Sequence, residues 1–302
     1  MIKKYSDKEL MKELKVDKKM LDRFKQIQKE TIWEAGRLGR RTKKFKILGI
    51  SGSARSKDNM AREDSNSEEL LKRCLASFDK RICDTELLPL RDYHIEHCNA
   101  CYSTANTQCH FYCSCYPKGT PLEDEMTKIL YDKVLEADAI IFATPVNNYA
   151  MSTLMKTFID RSISLDGSLK PADPNDPKNK ELNKKHMRFV ELTSNDDIPG
   201  SGMLKRFIGK AAGFIITGHE EGASLVLASL YMYLNGCGMV FPPFNYIYAM
   251  SSVCNSTYKD KEIVTSSCYD KQVKLLAQNL TQAVKLSRIN KPTVWKYDAG
   301  VN

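Results

Sequence analysis

The 302-residue chain predicts an α/β fold: a doubly wound, five-stranded parallel sheet in the order 2-1-3-4-5. Three observations carry that reading. Near-continuous apolar runs alternate with helix-length amphipathic stretches, the pattern of parallel strands joined by crossover helices. Three of those runs exit into the most Gly/Ser/Asn-rich loops of the chain, 51–67, 144–149 and 218–222, and ligands of such sheets bind beyond the carboxyl ends of the strands. In the first, Lys46-Ile-Leu-Gly-Ile-Ser51-Gly52-Ser53-Ala54-Arg55-Ser56, an apolar strand breaks into a hydroxyl-rich loop that leads to a helix start at Ser65-Asn66-Ser67. Helix N–H groups, serine hydroxyls and a guanidinium make a phosphate cradle, and a serine-capped βα turn is the alternative.

The elements follow in order. Residues 1–43 form a helical extension, with Leu10, Met11, Leu14, Met20, Leu21, Phe24, Ile27, Ile32 and Trp33 at helical spacing among charges. It packs either on a neighbouring subunit or back on its own domain. The main domain spans 44–288. After its opening strand come a polar insertion at 56–64, a helix at about 66–79, a strand at 85–90 and a cysteine-rich loop at 92–120. Pro121 and the acidic residues behind it suit a helix start, running to about 136. The strand 137–144 ends in Pro145-Val-Asn-Asn-Tyr149, and a helix at 152–164 follows. An insertion at 166–206 reads as a long surface loop with a short added strand at 187–193. A strand at 210–217 ends in Gly218-His-Glu-Glu-Gly222. A helix at 223–235 stops at Gly236, a strand covers 239–248, and a long helix at 267–288 precedes a tail, 289–302.

Net charge is +9, from 46 basic against 37 acidic residues, and the excess is spread through mixed-sign tracts, so nucleic acid is not implied. The basic run at 37–46 reads as a solvated linker, with phosphate or anionic-lipid binding as its alternative. No run approaches the ~20 apolar residues of a spanning helix, and the N-terminus lacks the apolar core of a signal peptide. The expectation is a cytoplasmic protein without a membrane partner. Of ten cysteines, five crowd into the loop: Cys98, Cys101, Cys109, Cys113 and Cys115. In a cytosolic chain that spacing points to metal or redox chemistry. Cys74, Cys83, Cys237, Cys254 and Cys268 read as small core residues.

Together, Gly-Ser-Ala-Arg-Ser after the first strand, Thr-Pro-Val-Asn-Asn-Tyr after the third, and Leu154-Met-Lys156-Thr-Phe-Ile-Asp160-Arg161 resemble the flavodoxin-like NAD(P)H-dependent FMN reductase family over residues 44–288. The resemblance implies a flavodoxin-like oxidoreductase and an FMN site. Ser51, Ser53, Ala54, Arg55, Ser65, Asn66 and Ser67 would take the phosphate. Thr144, Pro145, Val146, Asn147, Asn148 and Tyr149 would follow the isoalloxazine ring, with Gly218 and His219 on a third loop. The flavin carries the chemistry, so no catalytic acid or base is required. The resemblance also implies a nicotinamide stacked over the flavin without a Rossmann unit of its own, and a homo-oligomer, dimer or tetramer. Asp160 and Arg161 read as a structural charge pair.

The C-x2-C start at Cys98 and Cys101 is similar to the iron-sulfur flavoprotein branch, although the third cysteine of that motif is replaced by Thr104. A [4Fe-4S] cluster would then draw on Cys98, Cys101, Cys109 and either Cys113 or Cys115. Structural zinc, disulfides, free thiols or a redox-active pair are the other readings of the loop. The function expected is electron transfer through FMN from NAD(P)H or a ferredoxin-like donor to a small-molecule or protein acceptor. The alternative is a non-enzymatic flavin-binding sensor or carrier with a zinc or redox-active loop. The 166–206 region, as a lid beside the flavin, is expected to help select the acceptor.

Overall fold

Side chains of successive residues in a strand point to opposite faces, and in this sheet both faces are apolar. β1 (Phe45–Ser51) pairs in parallel with β2 (Cys83–Pro89) and with β3 (Ala139–Asn147). β3 continues past the sheet into an antiparallel pairing with β4 (Ala150–Met151). A two-stranded ladder of β5 (Asp166–Ser168) and β6 (Leu204–Lys205) stands apart, β7 (Ala211–Gly218) pairs with β3, and β8 (Tyr246–Met250) closes the other edge. The order β2-β1-β3-β7-β8 is the doubly wound order expected. The computed structural model describes residues 5–38, 43–60, 62–101, 109–118, 124–219, 221–251 and 257–290. Thr104, the Pro121 helix start, Glu220, Cys254, part of the basic run and most of the C-terminal tail lie outside these.

Ile47, Ile141 and Ile215 face α3 (Asn66–Ala76) and α9 (Ser267–Asn290), packing against Leu70, Leu71, Leu276 and Leu280. Their neighbours Leu48, Ile140, Phe142, Phe214 and Ile216 turn to the opposite face. There they meet α4 (Tyr131–Glu136), α5 (Thr153–Arg161) and α7 (Ala223–Gly236). The continuous apolar strands are therefore covered on both sides, as a parallel sheet requires. No helix among the described residues is long and apolar enough to cross a membrane.

Several boundaries differ from expectation for physical reasons. The added strand at 187–193 is instead the end of a helix, α6 (Lys180–Thr193), whose buried Asn183, His186, Met187 and Val190 recur at i, i+3, i+4 and i+7. Asn179 caps it, its side chain accepting from Leu182 N at 3.0 Å. The strand expected at 239–248 is delayed to Tyr246, because Pro242 and Pro243 supply no N–H to a ladder; only Val240 makes an isolated bridge, to Ala211. The helix expected to run to 164 tightens into a 3-10 turn after Arg161. The helix ending at Glu136 enters through a π-helical turn, Met126–Leu130. A further helix, α8 (Thr257–Thr265), precedes α9.

The N-terminal extension folds back on its own chain. α1 (Asp7–Leu14) and α2 (Lys18–Ala35) bury Leu10, Leu14, Leu21 and Phe24 against Leu169, Ala172, Phe189 and Val190 of the 166–206 region. His186 stacks on Phe24 at 4.7 Å between ring centroids. Gly200, at φ +80°, sits where a Cβ would lie 2.5 Å from the Thr31 carbonyl, so the insertion can close onto α2 only through glycine. Extension and insertion thus make one satellite unit with its own core.

Candidate functional site

The carboxyl ends of β1, β3 and β7 converge on a cavity of about 340 Å³. Ser53, Ala54, Arg55, Ser65 and Asn66 line one side, Pro145, Val146 and Asn147 another, and Thr217, Gly218, His219, Ala249 and Ser251 a third. Ile263 and Val264 of α8 complete the wall. Ten of the sequence-nominated flavin residues therefore share one cavity, at the point where strand order reverses.

Its phosphate-like end is built by local hydrogen bonds. Ser53 Oγ accepts from Arg55 N at 3.2 Å, and Ser65 caps α3, its hydroxyl accepting from Glu68 N at 3.4 Å. Below this turn lies a buried carboxylate that sequence reasoning passed over. Glu68 accepts from Ser51 Oγ at 3.0 Å and is held by both Nη atoms of Arg91, with Lys72 Nζ at 3.0 Å. Burial works to raise its pKa, but the hydrogen bonds from Arg91, Lys72 and Ser51 prevail and bring it down to about 2. The Ser-x-x-Glu spacing at 65–68 was a visible capping signal; the pairing with Arg91, 23 residues away, was not.

The polar insertion folds back over the same end. Arg55 lies 3.6 Å from Glu63, and Lys57 lies 3.1 Å from Asp64. Ser51, Ser67 and Thr144 are fully buried behind the cavity, and none of the three is among its lining residues. Ser67 shares a 2.9 Å hydroxyl contact with Ser65. Thr144 Oγ accepts from Ser152 N at 3.2 Å, and Ser152 Oγ donates to the Gly52 carbonyl, which latches the β1 and β3 exits together.

The exit of β3 is a hairpin, not the open loop expected. Val146 pairs with Met151 and Asn147 with Ala150, leaving Asn148 (φ 49°) and Tyr149 (φ 63°) as a two-residue turn. Tyr149 stands 62% exposed at its tip. A Cβ on Gly222 would lie 2.8 Å from the Cα and the carbonyl oxygen of Tyr149, so the loop after β7 rests directly on the hairpin. His219 shares a 3.3 Å contact with Ser251 Oγ at the same rim.

These surroundings fit FMN. A serine-lined turn, an arginine and the start of α3 line one side of the cavity, and extended backbone with an amide side chain, Asn147, lines another. FMN, when bound, supplies the electron transfer.

The cysteine loop lies on the other face of the sheet, among the side chains that pack around α4 and α5. Cys115 Sγ and Cys101 Sγ are in contact at 3.8 Å. The Cys98 sulfur accepts from Ala100 N at 3.4 Å. Contacts from Cys101 and then Cys113 hold the Cys115 sulfur far below the ordinary thiol range, and those from Cys101 and Cys113 push Cys109 up. Among the described residues no group of three or more metal-ligating side chains stands ready-made around a metal position. A [4Fe-4S] cluster does not fit sulfurs in contact at 3.8 Å, because its irons and sulfides occupy the space between the ligand sulfurs.

Asp160 and Arg161 do not pair with each other. Asp160 accepts from Lys156, while Arg161, 1% exposed, binds both carboxylate oxygens of Asp124 at 2.7 and 2.8 Å and the Glu96 carbonyl at 2.8 Å.

Residues 45–252 match the family described as NADPH-dependent FMN reductase. An iron-sulfur flavoprotein of Archaeoglobus fulgidus is 28% identical over 118 residues, 39% of this chain and 49% of that protein. An iron-sulfur flavoprotein of Methanocaldococcus jannaschii is 30% identical over 119 residues, 39% of this chain and 52% of that protein. The chain thus spans about half the length of the curated relatives it matches. Among solved structures, RosB with its bound intermediate 8-demethyl-8-formylriboflavin-5'-phosphate superposes with a TM-score of 0.54 at 16% identity, covering 81% of each chain, a likeness of fold. With the strand order, the shared cavity and a match that takes in all three strand exits, the chain belongs to the NADPH-dependent FMN reductase family.

Proposed function

We propose that this chain is an FMN-dependent oxidoreductase that takes electrons from NAD(P)H and passes them to a small-molecule or protein acceptor. The observation that carries the proposal is the single cavity joining the β1 turn, the β3 hairpin and the β7 exit. Ser53, Arg55, Ser65 and the first N–H groups of α3 would hold the phosphate, with Arg55 leaving its long contact to Glu63 for a stronger, doubly charged partner. Pro145, Val146 and Asn147 would orient the ring, and the apolar Ala249, Ile263 and Val264 exclude water from one flank. Tyr149 keeps a left-handed backbone at a cost of about 1–3 kcal/mol and stands exposed at the hairpin tip, where its ring would be available to a nicotinamide. No electron step is assigned to the cysteine loop.

Anaerobic stopped-flow mixing tests the reading. Rapid bleaching of the flavin absorbance by NADPH or NADH is expected. Bleaching only by a reduced ferredoxin-like protein would replace the nicotinamide donor with a protein one, and no bleaching by either would leave a sensor. Arg55→Ala is expected to lower FMN affinity by about tenfold or more, as loss of a charge-assisted contact implies; unchanged occupancy after dialysis would remove Arg55 from the site.

A further inference from the structure

We propose that Arg73 is a positioning residue for the flavin site: its guanidinium holds the bend between α8 and α9, and so keeps Ile263 and Val264 in the cavity wall. The inference rests on the FMN reading above and adds an element that lies outside the three strand exits. α8 ends at Thr265 and α9 begins at Ser267, with Ser266 alone between them. A single serine is a weak barrier to one continuous helix. What the bend secures is the wall, because Ile263 and Val264, in the last turn of α8, both line the cavity.

Arg73 stands in the last turn of α3, whose start brings Ser65 and Asn66 to the same cavity. Its Nη1 donates to the Val264 carbonyl at 2.6 Å, and its Nη2 donates to Asp270 Oδ1 in the first turn of α9. One planar fork thus joins the two sides of the bend. The last carbonyls of a helix carry its negative pole and have no partner within it, so a cation is favoured there. The Thr265 hydroxyl donates to the Glu262 carbonyl at 3.1 Å, and Ser266 N to the Ile263 carbonyl at 3.1 Å, both from the adjoining chain. The donor to Val264 comes instead from α3. Val264 is buried in the same core cluster as Leu70 and Leu71, so Arg73 grips the residue that seats the wall. α9 has further ties: the Tyr269 hydroxyl donates to the Tyr248 carbonyl at 3.3 Å, and Cys74 Sγ to the Val273 carbonyl at 3.6 Å. Loss of Arg73 therefore leaves α9 in place and loosens α8. Lysine restores only part of the hold, because one ammonium does not match a two-pronged fork.

The experiment is calorimetric titration of the flavin-free full chain with FMN, read together with amide hydrogen exchange on the same samples. Arg73→Ala is expected to weaken FMN binding about tenfold and Ile263→Ala about fivefold. Because Arg73 acts through the wall, the double variant is expected to bind no more weakly than Arg73→Ala alone, whereas independent effects would multiply. In flavin-free Arg73→Ala, exchange at residues 263–266 is expected to quicken about tenfold or more and to stay unchanged from residue 273 onward. Arg73→Lys is expected to give an intermediate loss, and it serves the same comparison if Arg73→Ala does not fold. Unweakened FMN binding in Arg73→Ala, a multiplied loss in the double variant, or unchanged exchange at the bend would each overturn the inference. Absence of FMN binding by the unmutated chain would instead overturn the FMN reading, while the exchange rates, measured without flavin, would still decide whether Arg73 holds the bend.

Discussion

Glu68 shows how one side chain organises the phosphate-like end. It has no access to the cavity, yet it joins the strand end (Ser51), the helix (Lys72) and the second strand's exit (Arg91). Its folded pKa of about 2 lies below the ordinary 4.5, so its stabilisation is complete above pH 4.5 and lost as pH falls toward 2. Glu68→Gln is expected to flatten that part of the stability–pH curve, measured by urea unfolding, and to cost a few kcal/mol at neutral pH by leaving Arg91 without its partner. A curve unchanged in shape would remove Glu68 from the acid transition. The serine-glycine turn above was legible in the sequence because hydroxyls and glycine after an apolar run have few other uses. The carboxylate below it was hidden, because nothing local ties residue 68 to residue 91.

At the scale of elements, the hairpin that ends β3 decides the shape of the site. The sequence placed residues 144–149 at a strand exit, but the backbone keeps Pro145, Val146 and Asn147 in the strand and turns only at Asn148 and Tyr149. That sets the first three along the cavity and carries the last two past it. Gly222 fixes the hairpin's height, since its missing side chain is what lets the β7 loop touch Tyr149. Gly222→Ala is expected to weaken FMN binding by about tenfold with little loss of global stability, because only the rim must shift; a calorimetric titration showing unchanged affinity would mean the hairpin does not set the site. The helix α6 is the complementary lesson. Its four inward positions include Asn and His, so an apolar count over 187–193 reads as a strand, while the spacing of buried positions reads as a helix.

Across the whole molecule, the extension and the insertion, 130 and more residues apart in sequence, form the satellite unit that buttresses the cysteine loop through Arg206 and Leu169. None of the described residues of this unit lines the flavin cavity, and in this structure the insertion supports the cysteine loop. His186 is the buried joint of this unit. Burial above all, with smaller repulsion from His110 and Arg23, takes its pKa down to about 3, from an ordinary 6.5. Below pH 6.5 the unfolded chain gains a proton that the folded chain refuses, so stability falls with pH, by about 2 kcal/mol between pH 6.5 and about pH 5. His186→Phe, which keeps a ring against Phe24, is expected to remove that part of the loss; thermal melts of the two proteins at pH 7 and pH 5 check it, and parallel shifts would refute it.

The sequence by itself determined the sheet, its order and the three exits that meet at the cavity, because parallel strands buried on both faces must be written as apolar runs and their exits as small polar residues. Tertiary structure alone decided what lies beneath the phosphate turn and where the terminal helices pack. Those outcomes depend on contacts between residues distant in the chain, whose partners no local pattern encodes.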